Sequence, residues 1–177
     1  MSTIKLINDS CVDQEADVIV NAANSGLWAG GGICGAIFRK AGLHELTAAC
    51  DKCDTPVPDG GAVITPSFGI TNARAIIHAV GPDFGYTPTA FKELFDAYYN
   101  SLKLMMDNNY HSIAFPLISS GIYGGCLDNP VAESTKQCCR AYKAFTSDYP
   151  TYDIEVTLCA FTSREMQLAQ EEFKKYF

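Results

Sequence analysis

The sequence predicts an α/β domain with three layers, α/β/α, in which helices cover both faces of a mixed β-sheet. Strand-like and helix-like patterns alternate along the chain, as they do in proteins built from βα units. Two strand-like segments, ending at Val20 and Ile118, lead into glycine-rich loops. The chain has 177 residues and shows no internal repeat or linker-like stretch, so we expect a single domain over residues 1–177.

Apolar runs bounded by turn residues predict six strands. The run Val18–Val20 is too apolar for a sheet edge and indicates a central strand. Pro116 removes one backbone donor and fits best near the end of its strand or at a bulge. His78 falls in the middle of a strand and is interpreted as structural. The predicted strands are Ile4–Ile7, Val18–Val20, Ala62–Thr65, Ala75–Val80, Ser112–Ile118 and Ile154–Phe161.

Helical periodicity occupies the segments between these strands. The longest pattern, Ala90–Asn108, places Leu94, Tyr98 and Met105 on one face. Gly42 is a typical stop for the first helix. The predicted helices are Ile33–Lys40, Leu43–Cys50, Ala90–Asn108, Pro130–Thr146 and one that begins at Ser163.

The segment NAANSGLWAGGGICGAIFRKAG, from Asn21 to Gly42, is the strongest candidate for a binding site. A buried strand leads through Asn21 and Asn24 to three consecutive glycines, residues 30–32, and then to a helix. Such a loop presents backbone N–H groups to an anion, and glycine permits a close approach because it has no Cβ. If the strand before the second glycine loop, Ser119–Gly125, is a parallel neighbour, the two loops form one cleft that suits a pyrophosphate. An ordinary glycine-rich βα loop is the alternative.

The composition limits the classes of partner. The net charge of -7 makes the chain a poor candidate for binding a nucleic-acid backbone. The N-terminal stretch has no secretory signal pattern, and no apolar run is long enough to span a membrane. We therefore expect a monomeric cytoplasmic protein with eight reduced cysteines. Cys50-x-x-Cys53 has no second pair to complete a zinc site, so no metal or cofactor is predicted.

Three segments match one known family in order and spacing: NAANSGLWAGGGICGAIFRKAG, AIIHAVGP (Ala75–Pro82) and SIAFPLISSGIYGG (Ser112–Gly125). The sequence resembles the macrodomain family, most closely its MacroD-type branch, over nearly the whole chain. The resemblance implies an α/β/α fold that binds ADP-ribose. Many members hydrolyse ADP-ribose esters, which are mono-ADP-ribosyl groups on protein carboxylates or O-acetyl-ADP-ribose.

The resemblance also implies roles for residues at the two ends of the ligand. Asp9 matches the aspartate that accepts a hydrogen bond from the adenine amino group, although a solvated turn residue is an equal alternative. Phe161 matches the aromatic residue that stacks on adenine, with a core phenylalanine as the alternative. Val20 and Asn21 match residues that line the strand end, and Asn21 is interpreted mainly as a tie between loop and sheet. Asn24 matches the asparagine that orients the distal ribose.

The two glycine loops are implied to hold the distal ribose and the diphosphate. The first loop contributes three glycines and the start of the following helix: Gly30, Gly31, Gly32 and Ile33. The second loop contributes the residues that match the family's pyrophosphate loop: Ser119, Ser120, Gly121, Ile122, Tyr123 and Gly124.

Two departures from the family pattern bear on catalysis. Cys34 stands where MacroD-type hydrolases usually carry an aspartate that is proposed to help activate water. Gly125 and Cys126 replace an aromatic residue and a proline, so one wall of the distal-ribose pocket is expected to be thinner. Related viral macrodomains also lack that aspartate, yet hydrolysis is attributed to them.

The sequence therefore predicts a hydrolase that relies on positioning by Asn24 and on a water held by the ligand's own phosphate. One alternative is a reader that binds ADP-ribose and releases it unchanged. Another is a thiol enzyme that uses Cys34, which has no histidine close to it in sequence to act as a base.

Overall fold

The computed structural model describes all 177 residues, Met1–Phe177. Six strands form one sheet: β1 (Thr3–Asn8), β2 (Val18–Ala23), β3 (Ala62–Pro66), β4 (Ala75–Val80), β5 (Ser112–Pro116) and β6 (Glu155–Ala160). Five helices accompany it: α1 (Gly32–Ala41), α2 (Leu43–Asp51), α3 (Phe91–Asp107), α4 (Pro130–Asp148) and α5 (Ser163–Phe173). No helix combines the length and the apolar character that a membrane crossing requires.

The sheet is mixed, as predicted. Its strand order is β1-β6-β5-β2-β4-β3. The edge strand β3 runs antiparallel to β4, and all other neighbouring strands are parallel. The interior position of β2 confirms the prediction that the run Val18–Val20 forms a central strand.

Helices pack on both faces because successive side chains of a strand point to opposite sides of the sheet. In β2, Val18 and Val20 belong to the core that is shared with α3, α4 and α5. Ile19 belongs to the second core, under α1 and α2. All three side chains are fully buried, and the predicted α/β/α layering is confirmed.

Two strands end at positions that bear on the site. β2 continues three residues beyond its predicted end, to Ala23, because residues 21–23 remain in register with residues 78–80 of β4. β5 ends at Pro116, which confirms the interpretation of that proline as a residue near the end of its strand.

The sheet opens between its two central strands, β2 and β5. These strands pair only at Val18–Ile113 and Ile19–Ala114, whereas β2 pairs with β4 over six residues. The chain after β2 leads to α1 on one face, and the chain after β5 leads to α4 on the other. In open α/β sheets such a reversal creates a crevice outside the carboxyl ends of the strands, where ligands bind.

Candidate functional site

The five parallel strands bring the predicted binding residues into one row. Asp9 follows β1, Phe161 follows β6, the second glycine loop follows β5 and Asn24 follows β2. Because the carboxyl ends of parallel strands lie at the same sheet edge, all of these residues share one side of the molecule. These residues follow four neighbouring strands, and the three spacings between those strands span about 14 Å. The site is therefore an elongated cleft that crosses the opening between β5 and β2.

One end of the cleft carries an exposed aromatic ring beside a carboxylate. The backbone N–H of Asp9 donates to the carbonyl of Ala160, 3.0 Å away, which places Asp9 beside Phe161. Phe161 is 71% exposed, so the alternative interpretation as a core phenylalanine is wrong. A flat aromatic face next to a hydrogen-bond acceptor matches the chemistry of a purine base with an exocyclic amino group.

Asn8 holds this end of the cleft together, and the sequence analysis missed it. Its side-chain Nδ2 donates to the carbonyls of Ala160 (2.9 Å) and Phe161 (3.1 Å). These bonds fix the segment that carries the exposed ring. Thr162 then caps α5 in a reciprocal arrangement with Glu165, which fixes the other side of the same segment.

The second glycine loop is held by its hydroxyl groups and leaves its backbone donors unused. Ser119 Oγ donates to the carbonyl of Pro82, and Ser120 Oγ donates to the carbonyl of Leu117, both at 2.7 Å. Ser119 adopts a left-handed conformation, with φ of 59°. None of the backbone N–H groups from Ser119 through Tyr123 donates to another backbone carbonyl. The loop therefore offers a run of N–H donors to an anion.

Other side chains of this loop take different positions. Ile122 is almost fully exposed, whereas Gly124 is buried. A Cβ on Gly124 would lie 2.7 Å from the Cβ of Pro130, so packing on α4 explains why this position is a glycine. Tyr123 is half-buried, and its carbonyl accepts a hydrogen bond of 2.8 Å from the N–H of Phe84.

The first glycine loop presents a matching run of donors. None of the N–H groups from Gly30 through Cys34 donates to another backbone carbonyl. Gly31 caps α1, which begins at Gly32, so the last of these donors lie in the first turn of a helix. The positive end of the helix dipole faces the same direction as these N–H groups. The two loops thus provide two runs of anion-binding backbone on the two sides of the opening.

Asn24 lies at the start of this loop, and its side chain makes some of its hydrogen bonds within the loop. Its Nδ2 donates to the carbonyl of Trp28 at 2.9 Å, and its Oδ1 accepts from the N–H of Trp28 at 3.1 Å. A side-chain amide has two N–H groups and two lone pairs on its oxygen. One donor and one lone pair of Asn24 therefore remain for a ligand.

Cys34 is buried, and its thiol faces the backbone of the same loop. Its Sγ lies 3.7 Å from the carbonyl of Trp28 and donates to it. This contact gives the thiol a role in holding the loop and argues against its interpretation as a nucleophile. Nowhere in the molecule do three or more His, Cys, Asp or Glu side chains converge as metal ligands would.

Val20 and Asn21 require a correction. Both were matched to residues that line a strand end, and Asn21 was interpreted mainly as structural. However, β2 runs on to Ala23, so neither residue lies at the end of the strand, and both side chains are buried inside the protein. Val20 is part of the core. Asn21 ties two strands together, since its Nδ2 lies 3.0 Å from Nδ1 of His78 in β4.

His78 lies in a buried polar row that crosses the sheet. Its Nε2 is 2.9 Å from Oγ1 of Thr65 in β3, and its Nδ1 faces the amide of Asn21. Burial lowers the pKa of His78 from 6.5 to about 4, so the ring is neutral at pH 7. The interpretation of His78 as structural is confirmed.

The wall that was expected to be thin is filled by a segment from elsewhere in the chain. A Cβ on Gly125 would overlap the backbone of Phe84 and Gly85, and Gly125 has a φ of 51°. The loop after β4 therefore occupies the space beside the second glycine loop. Cys126 also contacts this segment, with Sγ 3.4 Å from the carbonyl of Phe84.

The same loop forms a cavity of about 220 Å³ at the Asn24 end of the cleft. Its charged groups are both carboxylates, Asp59 and Asp83. Burial, together with Glu93 and Asp83, raises the pKa of Asp59. The lining residues are Ser25, Asp59, Val80, Gly81, Asp83, Tyr86, Thr87 and Tyr123. The charged side chains at this end of the cleft are therefore both acidic, whereas the glycine loops offer N–H donors.

The sequence was also compared with those of known proteins. The family model described as Macro domain matches residues 20–135. A protein of Klebsiella pneumoniae (strain 342) named O-acetyl-ADP-ribose deacetylase is 44% identical over 149 residues. The matched region covers 82% of this chain and 82% of that protein.

Solved structures share the fold. A macrodomain of Oceanobacillus iheyensis with ADP has a TM-score of 0.85 and 32% identity, and the match covers 98% of this chain and 91% of that one. A Trypanosoma brucei macrodomain in complex with ADP-ribose has a TM-score of 0.82 and 28% identity, over 95% of this chain and 68% of that one. The architecture, the two glycine loops and these matches together show that the chain belongs to the macrodomain family.

Proposed function

We propose that this macrodomain binds ADP-ribose along the carboxyl edge of its sheet and hydrolyses ADP-ribose esters. The observation that carries the proposal is the pair of unused N–H runs, Gly30–Cys34 and Ser119–Tyr123, on the two sides of the crevice. Two such runs suit the several oxygens of a diphosphate. The relatives support the same ligand, since one is named O-acetyl-ADP-ribose deacetylase and others were solved with ADP and ADP-ribose.

The chemistry of the cleft gives the ligand a direction. Adenine stacks on Phe161 and donates its amino group to Asp9. The diphosphate lies between the two N–H runs, and the distal ribose reaches Asn24. In the opposite orientation the adenine base would lie beside the carboxylates Asp59 and Asp83 and would lose the exposed ring of Phe161.

The proposed reaction depends on positioning. A water held by a phosphate oxygen and by loop backbone attacks the distal ribose at its anomeric carbon, or it attacks the ester carbonyl. In either case the acyl group leaves as a carboxylate, and ADP-ribose keeps a hydroxyl group. Asn24 holds the ribose hydroxyls, and the N–H runs stabilise negative charge on the diphosphate. The substrates are O-acetyl-ADP-ribose and protein carboxylates that carry mono-ADP-ribose.

A non-catalytic reader is the second candidate, and one observation favours it. The Cys34 thiol donates a hydrogen bond to the carbonyl of Trp28. One donor and one acceptor of the Asn24 side chain are also hydrogen-bonded to Trp28. Neither the Cys34 thiol nor the Asn24 amide is therefore placed as a general base at the ribose end of the cleft. A hydrolase and a reader bind ADP-ribose equally well, so turnover is what separates them.

The test is single-turnover release of ADP-ribose at saturating enzyme, from O-acetyl-ADP-ribose and from a mono-ADP-ribosylated carboxylate. Calorimetry should give 1:1 binding of ADP-ribose. We expect release by the parent protein, most of that rate in Cys34→Ala, and a far lower rate in Asn24→Ala because the ribose loses its orientation. Tight binding without release would favour the reader. Loss of the rate in Cys34→Ala with the fold and the ADP-ribose affinity intact would instead support thiol chemistry.

A further inference from the structure

Trp28 is held in place although its side chain is exposed. It is the only tryptophan in the chain, it lies in the loop between β2 and α1, and it is 63% exposed. Its six-membered ring occupies the space where a Cβ of Gly26 would be, because a Cβ built on Gly26 overlaps ring atoms Cζ3 and Cε3. The indole therefore packs directly on Gly26, and only glycine at position 26 leaves room for it.

The backbone of Trp28 is fixed by a second set of contacts. Its N–H donates to Asn24 Oδ1, and its carbonyl accepts from Asn24 Nδ2 and from Cys34 Sγ. The turn that precedes it is closed by a hydrogen bond of 3.1 Å from Leu27 N–H to the carbonyl of Asn24. Leu27 is buried and left-handed, with φ of 58°, a conformation that non-glycine residues adopt only where the surroundings enforce it.

These contacts connect an exposed ring to the residue proposed to hold the ribose. The position of the Trp28 main chain decides where the Asn24 amide points, because two atoms of that amide bond to it. The seat of the indole on Gly26 in turn restrains the Trp28 main chain. A solitary exposed hydrophobic residue usually needs no explanation. Trp28 differs from such a residue. Its ring packs on Gly26, its main chain is hydrogen-bonded to both polar atoms of the Asn24 side chain, and the preceding residue, Leu27, is left-handed.

We propose that Trp28 is a positioning residue for the distal ribose, and that the contact between its indole and Gly26 sets the orientation of Asn24. The proposal rests on ADP-ribose binding in this cleft. It predicts that substitution of Trp28 affects the binding of some ligands and not of others. ADP lacks the distal ribose and should bind independently of Trp28, whereas ADP-ribose and its esters should depend on it.

The test compares four proteins with the parent: Trp28→Ala, Trp28→Phe, Gly26→Ala and the double variant Gly26→Ala/Trp28→Ala. In Trp28→Ala we expect unchanged ADP affinity, weaker ADP-ribose affinity and a loss of single-turnover rate on the order of 10²-fold, which a misplacement of about 1 Å can cause. Trp28→Phe should recover much of the rate because a ring again rests on Gly26.

Gly26→Ala should reproduce this loss, since the new Cβ displaces the indole. The double variant should be no worse than either single variant, because both remove the same contact. Phe68→Ala is the matched control. Phe68 is also exposed and left-handed, but it precedes β4 at the opposite end of the sheet. It should leave both affinities and the rate unchanged.

Fluorescence gives a readout that a purely structural role would not produce. Because Trp28 is the only tryptophan, its emission in the parent protein reports on this loop alone. ADP-ribose should change the emission, and ADP at saturation should leave it unchanged. Equal losses of ADP and ADP-ribose affinity in Trp28→Ala, or multiplicative losses in the double variant, would overturn the proposal.

The same data separate this proposal from the hydrolase assignment. If the parent protein releases no ADP-ribose but Trp28→Ala weakens ADP-ribose and spares ADP, the hydrolase assignment fails and the role of Trp28 stands. If the parent protein hydrolyses the ester and Trp28→Ala retains the full rate and affinity, the role of Trp28 fails and the hydrolase assignment stands.

Discussion

Individual glycines of the two loops are required for different reasons. Gly124 and Gly125 leave no room for a Cβ, because Pro130 and the backbone of Gly85 occupy that space. Gly31 differs from both. Its backbone is extended, with φ of -90°, and a Cβ there would meet no atom within 4 Å. Neither packing nor conformation demands glycine at position 31, so the close approach of a ligand is the remaining physical reason.

Gly31→Asp should therefore affect stability and binding in opposite directions. Aspartate is a better N-cap than glycine by a few tenths of a kcal/mol and interacts favourably with the helix dipole, so the melting temperature should rise slightly. Affinity for ADP-ribose should fall, because a carboxylate then competes with the diphosphate for the same N–H groups. Calorimetry and thermal unfolding measure the two effects. Gly31→Asn is the control with similar size and no charge, and it should bind much better than Gly31→Asp.

Phe161 allows a second test at the scale of one residue. Its ring is exposed, so Phe161→Ala should change the free energy of unfolding by no more than about 0.5 kcal/mol. It should reduce ADP-ribose affinity by roughly 1–3 kcal/mol, the usual contribution of a base–aromatic stack. Calorimetry on the folded variant measures this loss. Unchanged affinity would show that adenine does not bind at this end of the cleft.

At the scale of secondary-structure elements, the opening between β2 and β5 is what makes a cleft out of a continuous sheet. Cys11 lies in this opening. Its Sγ is 3.2 Å from the carbonyl of Ala114 in β5 and 3.7 Å from the carbonyl of Val20 in β2. Burial, with Cys159 nearby, raises the pKa of the Cys11 thiol well above its usual value, so the group stays protonated and can donate. A thiol thus bridges the two strands where their ladder ends.

The polar row across β2, β4 and β3 makes stability depend on pH. His78 Nδ1 faces the Asn21 amide nitrogen, so protonation would place two donors against each other in a buried site. The folded-state pKa of about 4 lies below the unfolded value of 6.5. The stabilisation from neutral His78 is therefore present above pH 6.5 and is lost as the pH falls toward 4. The full loss is on the order of 3 kcal/mol.

Urea unfolding at several pH values between 7.5 and 4.5 measures this dependence. Carboxylates also titrate in the lower part of this range, so the comparison must be with His78→Gln, which is neutral throughout. The variant should be less stable at neutral pH and should lose less stability on acidification than the parent protein. Parallel pH profiles for the two proteins would show that His78 does not contribute.

At the scale of the whole molecule, features that depend on local sequence signals could be predicted, whereas features that depend on long-range contacts could not. The order of strands and helices and both glycine loops were predictable, because periodicity, glycine and asparagine act within a few residues. The bond from Asn8 to Phe161 joins residues 153 apart, and it leaves no local signal. The same holds for the packing of Gly125 against Gly85, which fills the wall that was expected to be thin. The end of β2 was missed because a buried asparagine is stabilised only by His78 in the neighbouring strand.

The net charge of the molecule leads to the last prediction. The chain carries 20 acidic and 13 basic residues, for a net charge of -7, and two carboxylates line the Asn24 end of the cleft. If backbone N–H groups hold the diphosphate, the long-range field of the protein opposes binding while short-range dipoles favour it. Salt screens the long-range field much more effectively than it screens hydrogen bonds at contact distance.

ADP-ribose affinity should therefore stay constant or rise as sodium chloride increases from about 0.1 M to about 1 M, where the Debye length falls from about 10 Å to about 3 Å. Sites built from lysine and arginine show the opposite dependence, because salt weakens attractive ion pairs. Calorimetry across the salt series tests this, with Gly31→Asp as a comparison whose affinity should rise more steeply because it carries one further negative charge in the cleft. A steep fall in affinity for the parent protein would mean that basic side chains, and not the two loops, neutralise the diphosphate.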